Sequence, residues 1–340
     1  MAKRPSMSDV ARHAGVSAQT VSRVSNGAPY VSKEKRERVL AAMRELGYRP
    51  NSAARAMKSG MFRTIGVIYE SLHPVGNHRT LEAISEIAAH KGYTITLMPL
   101  DAETRNAADG AFTRLGEMLI DAAIAIVPSD FYHQPDWKLP ADLPSVILGP
   151  PIFSDVSTVD FDQSIGTRQA VNTLLDLGHD TVYHIAGPQE SYSARSREAT
   201  WRDTLTQRAR KVVPPLHGDW TPDSGYTLGR TLLDESQPTA VFVANDQMAL
   251  GLYRAVIEKG LRIPDDISVI GFDNIDESSA FPPPLTTVSQ DWERIGKEAL
   301  SSVLKLLDGE SPGRTVLPTA LIERESCAPP PREEEALRHL

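Results

Sequence analysis

From residue 64 to residue 322, short β-branched runs alternate with stretches of helical periodicity, and this alternation restricts the fold more than any other feature of the chain. Strands joined by helical crossovers must run parallel, and a parallel sheet needs helices on both faces. The runs at 65–69, 93–98, 123–127 and 146–148 read as strands, with helices over 81–90 and 107–120 between them. A second series follows: helix 164–177, strand 182–186, helices 194–208 and 224–235, strand 240–243, helix 247–259 and strand 268–271. A helix over 292–307 and a strand near 316–322 end it. Two doubly wound α/β halves put a ligand at the carboxyl ends of their strands, in the cleft between them.

The first sixty residues follow a different rule. Val10, Ala11 and Ala14 lie at helical spacing behind Ser8, read as the cap of a short helix that Gly15 ends. Ser17 caps a second helix over 18–25, whose Val21 and Val24 face the same core, and Asn26-Gly27 stops it. Two short helices joined by a Gly-x-Ser turn form a helix-turn-helix, which lays its second helix in the major groove. Gln19 and Arg23 then share one exposed face. Gln can pair with adenine and Arg with guanine, Ala18 can offer apolar contact, and Thr20 and Ser22 suit phosphates. A third helix from a Ser32 cap to about Leu46 completes a core with Val39 and Met43. Asn51 caps a short Ala-rich stretch through Lys58. About two turns of helix are marginal alone in water, so the stretch reads as a hinge that folds with a partner.

Charge divides along the same boundary. Through Arg63 there are thirteen basic and four acidic residues, a net of +9, which leaves −17 for the remainder of a chain whose total is −8. A basic head on an acidic body attracts phosphate at one end and repels it elsewhere. The single cysteine, Cys327, excludes an internal disulfide and a cysteine-rich zinc site. No apolar run approaches the ~18 residues of a membrane span, and the N-terminus lacks a secretory core, so a cytoplasmic protein with no membrane partner is expected. Walker, G-x-G-x-x-G, H-E-x-x-H and G-x-S-x-G signatures are absent. No catalytic group, metal site or cofactor is read in the chain, and a binding protein is favoured over an enzyme.

The stretch MSDVARHAGVSAQTVSRVSNG at 7–27, with YRPN at 48–51 and the Ala-rich hinge, resembles the head of the lactose/galactose repressor family. The resemblance continues through SARSR at 193–197 with Trp201, GDW at 218–220, VANDQMALG at 243–251, DISVIGFD at 266–273 and PLTT at 284–287 with Gln290 and Asp291. It implies an all-α helix-turn-helix head on two interleaved subdomains of periplasmic-binding-protein type. The divisions expected are 1–50 for the head, 51–62 for the hinge, 63–327 for the ligand-binding and dimerisation core, and 328–340 for a flexible tail. In the family, paired hinge helices wedge an apolar side chain into the minor groove; Met57 matches that position, where leucine is usual. Ser17, Ala18, Gln19, Thr20, Ser22, Arg23, Asn26, Asn51, Ala54 and Met57 thus become the expected DNA contacts.

By the same resemblance Arg197, Asn245 and Asp273 are polar ligand contacts, and Trp220 and Trp292 aromatic walls, Trp292 standing where a phenylalanine is found. Arg and Asn can donate to sugar hydroxyls, Asp can accept, and aromatic faces cover the C–H face of a pyranose. Asn245 and Asp246 could equally cap the helix that follows. Gly149 departs from the pattern, standing where a family member has a ligand-contacting aspartate. The partners implied are operator DNA, a small-molecule effector of sugar or glycoside type, and a second copy of the chain. Only Leu337 and Leu340 are available for a C-terminal leucine heptad, so a homodimer is expected rather than a tetramer. Whether ligand releases the operator, as an inducer, or tightens binding, as a corepressor, is left open at this level.

Overall fold

The computed structural model describes residues 5–25, 29–48, 60–72, 74–100, 118–126, 140, 142–150, 156–311 and 313–331. It divides into two compact units, Met1–Phe62 and Arg63–Leu340.

In the first unit, α1 (Met7–Ala14), α2 (Ala18–Ser25) and α3 (Lys33–Glu45) enclose Val10, Ala11, Ala14, Val21, Val24, Val39, Ala42 and Met43. The cap of α1 is Ser6, not Ser8. Ser6 and Asp9 form a reciprocal capping box, and Ser8 lies inside the helix. Ser32 occupies the N-cap position of α3 without a side-chain capping bond. The α1–α2 turn is held from outside by Arg38, whose Nη2 donates to the carbonyls of Ala14 at 2.6 Å and Gly15 at 3.1 Å. One of the thirteen cations is therefore committed to the turn.

The second unit holds two sheets of the same order. In the first, β2 (Thr94–Pro99), β1 (Thr64–Tyr69), β3 (Ala122–Ile126), β4 (Ser145–Leu148), β5 (Ser157–Asp162) and β11 (Arg314–Pro318) lie side by side, all parallel. In the second the order is β7 (Leu216–His217), β6 (Tyr183–Ala186), β8 (Ala240–Val243), β9 (Ser268–Asp273), β10 (Thr286–Ser289) and β12 (Ala320–Ile322), with only β12 antiparallel. Helices α4 (Val75–His90) and α9 (Trp292–Leu307) cover the first sheet. The second packs against α5 (Gln163–Asp176), α6 (Tyr192–Gln207), α7 (Pro222–Glu235) and α8 (Asp246–Glu258). β3, β4, β8 and β9 are buried along their whole length, as a sheet covered on both faces requires.

The run near 316–322 is two strands, not one. Pro318 ends β11 in the first sheet, and two residues later Ala320 begins β12 in the second. The chain also crosses between lobes from β5 to α5 and from β10 to α9. Thr319 ties two crossings together, donating to the Asp162 carbonyl at 2.7 Å and accepting from Gly166 N at 2.9 Å. Of the helix expected over 107–120, only Met118–Ile120 falls in the described residues, and these three are not helical. No helix among the described residues is long and apolar enough to cross a membrane.

Candidate functional site

A cavity of about 360 Å³ opens between the two lobes, at the carboxyl ends of both sheets. That size falls within the roughly 300–1,000 Å³ usual for small-molecule sites. Arg197, Trp220, Asn245, Asp273 and Trp292 all line it.

Arg197 arrives on α6, whose N-cap is Ser191. The buried stripe of that helix is Ala194, Arg197, Thr200, Trp201, Thr204 and Leu205, so a guanidinium occupies a position that spacing alone would give to an apolar residue. Its Nε donates to Gln163 Oε1 at 2.9 Å and its Nη1 to the Ala244 carbonyl. The guanidinium carbon lies 3.6 Å from the Phe272 ring centroid, and Nη2 sits 3.6 Å from Asp273 Oδ1. Burial lowers the Arg197 pKa to about 10, with Asp273 opposing the shift. Burial likewise raises Asp273 to about 6, against the pull of Arg197 and the Gln290 hydrogen bond.

Asp273 ends β9 at φ 106°, followed by Asn274 at φ 53°, conformations that non-glycine residues rarely adopt. Asp246, fully buried, holds this turn: its carboxylate accepts from Ile275 N at 2.9 Å and from Thr287 Oγ1 at 2.6 Å. Arg324 Nη2 adds a bond to Asn274 Oδ1 at 2.7 Å. Such strain persists where surrounding bonds over-determine it. Burial and the neighbouring Asp273 push Asp246 up to about 8.

Each aromatic wall rests on a glycine. A Cβ at Gly187 would lie 2.3 Å from the Trp220 ring, and one at Gly76 would lie 2.8 Å from Trp292. Trp220 has φ 74°, and its carbonyl accepts from Asn245 Nδ2 at 3.1 Å. Asn245 Oδ1 meanwhile accepts from Met248 N at 2.9 Å as the cap of α8. Asn245 thus lines the cavity while anchoring both a helix and the tryptophan. Trp292 packs edge-on against Phe161, with ring centroids 5.2 Å apart.

Two glutamines were not singled out as site residues by pattern. Gln163 begins α5 just after one crossing, and Gln290 precedes α9 at another. Gln163 Nε2 donates to Gln290 Oε1 at 3.4 Å, and Gln290 Nε2 donates to Asp273 Oδ1 at 2.7 Å. The chain Arg197–Gln163–Gln290–Asp273 therefore closes through two of the three segments that join the lobes. Among the described residues no group of three or more His, Cys, Asp or Glu is placed to hold a metal ion.

In the head, Ser17, Ala18, Gln19 and Arg23 are exposed, while Thr20 and Ser22 are half-buried. Ser17 Oγ accepts from Thr20 N at 3.1 Å and lies 2.9 Å from Thr20 Oγ1. Asn26, Asn51, Ala54 and Met57 lie outside the described residues.

Two family models match separate parts of the chain. Residues 6–51 match the bacterial regulatory proteins of the lacI family, and 171–327 match a periplasmic binding protein-like domain. The lactose operon repressor of Escherichia coli strain K12 is 37% identical, over 98% of this chain and 93% of its own length. The chain belongs to the lacI family. Another lacI-family relative, the HTH-type transcriptional repressor PurR of Histophilus somni strain 129Pt, is 33% identical over 87% of the chain and 90% of its own length. The crystal structure of the lac repressor dimer bound to operator and the anti-inducer ONPF superposes with a TM-score of 0.85 at 35% identity, covering 96% of this chain and all of that one. These relatives are repressors rather than enzymes. The chain is a lacI-family DNA-binding repressor with a periplasmic-binding-protein-like body.

Proposed function

We propose that the protein is a ligand-responsive transcription repressor that binds a pseudo-palindromic operator as a homodimer and releases it when a sugar or glycoside fills the interlobe cavity. The observation that carries this reading is the closed chain of Arg197, Gln163, Gln290 and Asp273, because it joins the cavity's buried charges to two of the lobe crossings. A ligand bonded to Arg197 and Asp273 competes for the groups that set the angle between lobes. Trp220 and Trp292, supplied from opposite lobes, suit the apolar faces of a pyranose. Asn245 is a weaker contact, since its amide is engaged twice.

At the other end, Gln19 and Arg23 read base edges from the exposed start of α2 with Ala18 against a thymine methyl, and Ser17, Thr20, Ser22 and Asn26 hold the backbone. The hinge over 51–62 carries Asn51, Ala54 and the Met57 wedge. The divisions 1–50, 51–62, 63–327 and 328–340 belong to the same proposal. A second copy is favoured by Leu250 and Ile257, exposed by 43% and 57% at seven-residue spacing on α8. Movement of the lobes would separate the paired hinge helices and withdraw both wedges, with a coupling of about 1–3 kcal/mol per ligand.

The test is operator binding with and without a panel of mono- and disaccharides, for wild type and Asp273→Ala. Wild type should lose operator affinity when the cognate sugar is added, and Asp273→Ala should bind operator normally without responding. A normal response in Asp273→Ala would sink the assignment of the cavity. Tightening of wild-type binding by ligand would instead give the corepressor mechanism.

A further inference from the structure

The first lobe's side of the cavity lacks a side chain at one position and has a carboxylate beside it. Gly149 follows β4 at φ 146°, a backbone conformation that other residues rarely adopt, and a Cβ built there would meet nothing within 4 Å. No polar side chain therefore comes from position 149. Its N–H donates to the Val159 carbonyl of β5 at 3.0 Å, which places the next residue, Asp160, alongside. Val159 and Phe161 enter the first lobe's core, whereas Asp160, on the opposite face of the strand, lines the cavity with Gly149.

A carboxylate in this position is costly to the apo protein. Burial raises Asp160 to about 6, against a hydrogen bond from Phe161 N at 2.8 Å and the distant attraction of Arg314 on β11, while Asp162 on the same strand adds to the rise. That bond uses one of the roughly four acceptor positions a carboxylate offers. Across the cleft stands Tyr192 at the start of α6, whose hydroxyl feels the Asp160 charge. The charges that the described residues bring to the cavity are predominantly acidic. Among the described residues Asp160, Glu190 and Asp273 line it against Arg197, whose guanidinium is occupied by Gln163, Ala244 and Asp273.

We propose that Asp160 is a specificity-determining ligand contact, taking a hydrogen bond from a hydroxyl or ammonium group of an uncharged or cationic sugar, and that the cavity rejects phosphorylated and carboxylated sugars. The proposal rests on the effector reading of the cavity and goes further by naming the ligand's charge class and its anchor in the first lobe.

The experiment is calorimetric titration of the full-length protein with galactose, glucose, lactose and cellobiose, the 2-amino-2-deoxy forms of the two monosaccharides, and their 6-phosphates and uronic acids. Wild type should bind at least one neutral or amino sugar, with the matching anionic sugars weaker by about tenfold or more. Asp160→Ala should lower affinity for the best probe by about tenfold or more, the scale of one hydrogen bond to a charged acceptor. Asp160→Asn separates the two donors: it retains most of the affinity if the ligand supplies a hydroxyl and behaves like Asp160→Ala if it supplies an ammonium. Unchanged operator binding by each variant without sugar shows that it is folded; should Asp160→Ala not fold, the near-isosteric Asp160→Asn and the neutral-to-anionic ranking of wild type decide the matter. A smaller loss in Asp160→Ala, or wild-type preference for an anionic sugar, overturns the proposal and leaves the effector reading standing. If no probe binds wild type, the effector reading fails and this proposal falls with it.

Discussion

The two lobes share a strand order and differ in how each builds its wall of the cavity. In the second lobe nearly every wall residue is held by another. Arg197 is fixed by four groups, Asp273 sits in a strained turn pinned by Asp246, and Trp220 is tied by Asn245. The first lobe presents Gly76, Gly149, Asp160 and a tryptophan from the start of α9. One wall is over-determined and costs stability to change. The other has fewer hydrogen-bonded ties among its described residues, and a substitution at Gly149 or Asp160 is expected to alter selectivity with little loss of fold. If the cavity is the effector site proposed above, positional accuracy and ligand choice fall to different lobes, a division that four measurements can break or sharpen.

The largest effect belongs to Arg197→Ala. It leaves Asp273 a buried carboxylate without its cation and removes donors from Gln163 and the Ala244 carbonyl. Breaking a buried pair by removing one partner costs about 3–5 kcal/mol, to be read as a lower denaturant midpoint. A loss below about 1 kcal/mol would mean that the second wall is no more over-determined than a surface.

Next come the glycines beneath the tryptophans. Gly187→Ala drives a methyl into a ring whose backbone is held at positive φ by Asn245, and overpacking of this kind costs about 1–3 kcal/mol. Gly76→Ala meets the same edge of Trp292 less closely, at 2.8 Å, and should cost about half as much. Tryptophan fluorescence and thermal unfolding of the two variants give the ranking. The reverse order would erase the difference between the walls.

The third measurement uses pH. The folded pKa of Asp160, about 6, lies above its unfolded value, so its contribution is fully present below the unfolded pKa and is lost as pH rises through 6. Asp160→Asn removes that loss. The variant should therefore be more stable than wild type at pH 8, by on the order of 1–2 kcal/mol, with the gain shrinking as pH falls below 6. A gain independent of pH would show that the Asp160 charge carries no burial penalty.

The parts of this architecture that could be read directly were those with local causes. The strand at 240–243 and the helix at 292–307 have unbroken apolar or amphipathic patterns and lie where periodicity puts them. β5, STVDFD, carries two acids and does not read as a strand from pattern, because an acid on a strand is solvated by default. β11 and β12 looked continuous because nothing local says that Thr319 crosses between sheets. The five expected ligand residues come from the family resemblance, whereas Gln163 and Gln290, 127 positions apart, become partners only after folding. Asp246 was visible only as a helix cap; its work on the turn after Asp273 depends on Thr287 and Ile275 from elsewhere in the chain.

The smallest effect lies on the surface, where the lobes meet directly. Arg79 on α4 of the first lobe pairs with Asp276 in the 3-10 turn Asp276–Ala280 that follows β9 in the second, and Glu82 stands beside Arg79 at 3.7 Å. With side chains 34% and 81% exposed, the pair is worth only about 0.2–1 kcal/mol. Because it spans the lobes, that small energy enters the balance between lobe arrangements undiluted. About 0.7 kcal/mol is roughly a threefold change in their ratio. Arg79→Ala and Asp276→Asn should each shift the half-saturating concentration of the cognate sugar by about two- to fivefold, and the double variant should add little to either. Unlike the buried Arg197–Asp273 contact, this pair is open to screening, so the shift should vanish near 1 M salt, where the Debye length is about 3 Å. A shift that survives high salt, or single effects that simply add in the double variant, would remove the ion pair from the lobe balance and leave the buried Arg197–Gln163–Gln290–Asp273 chain to set it.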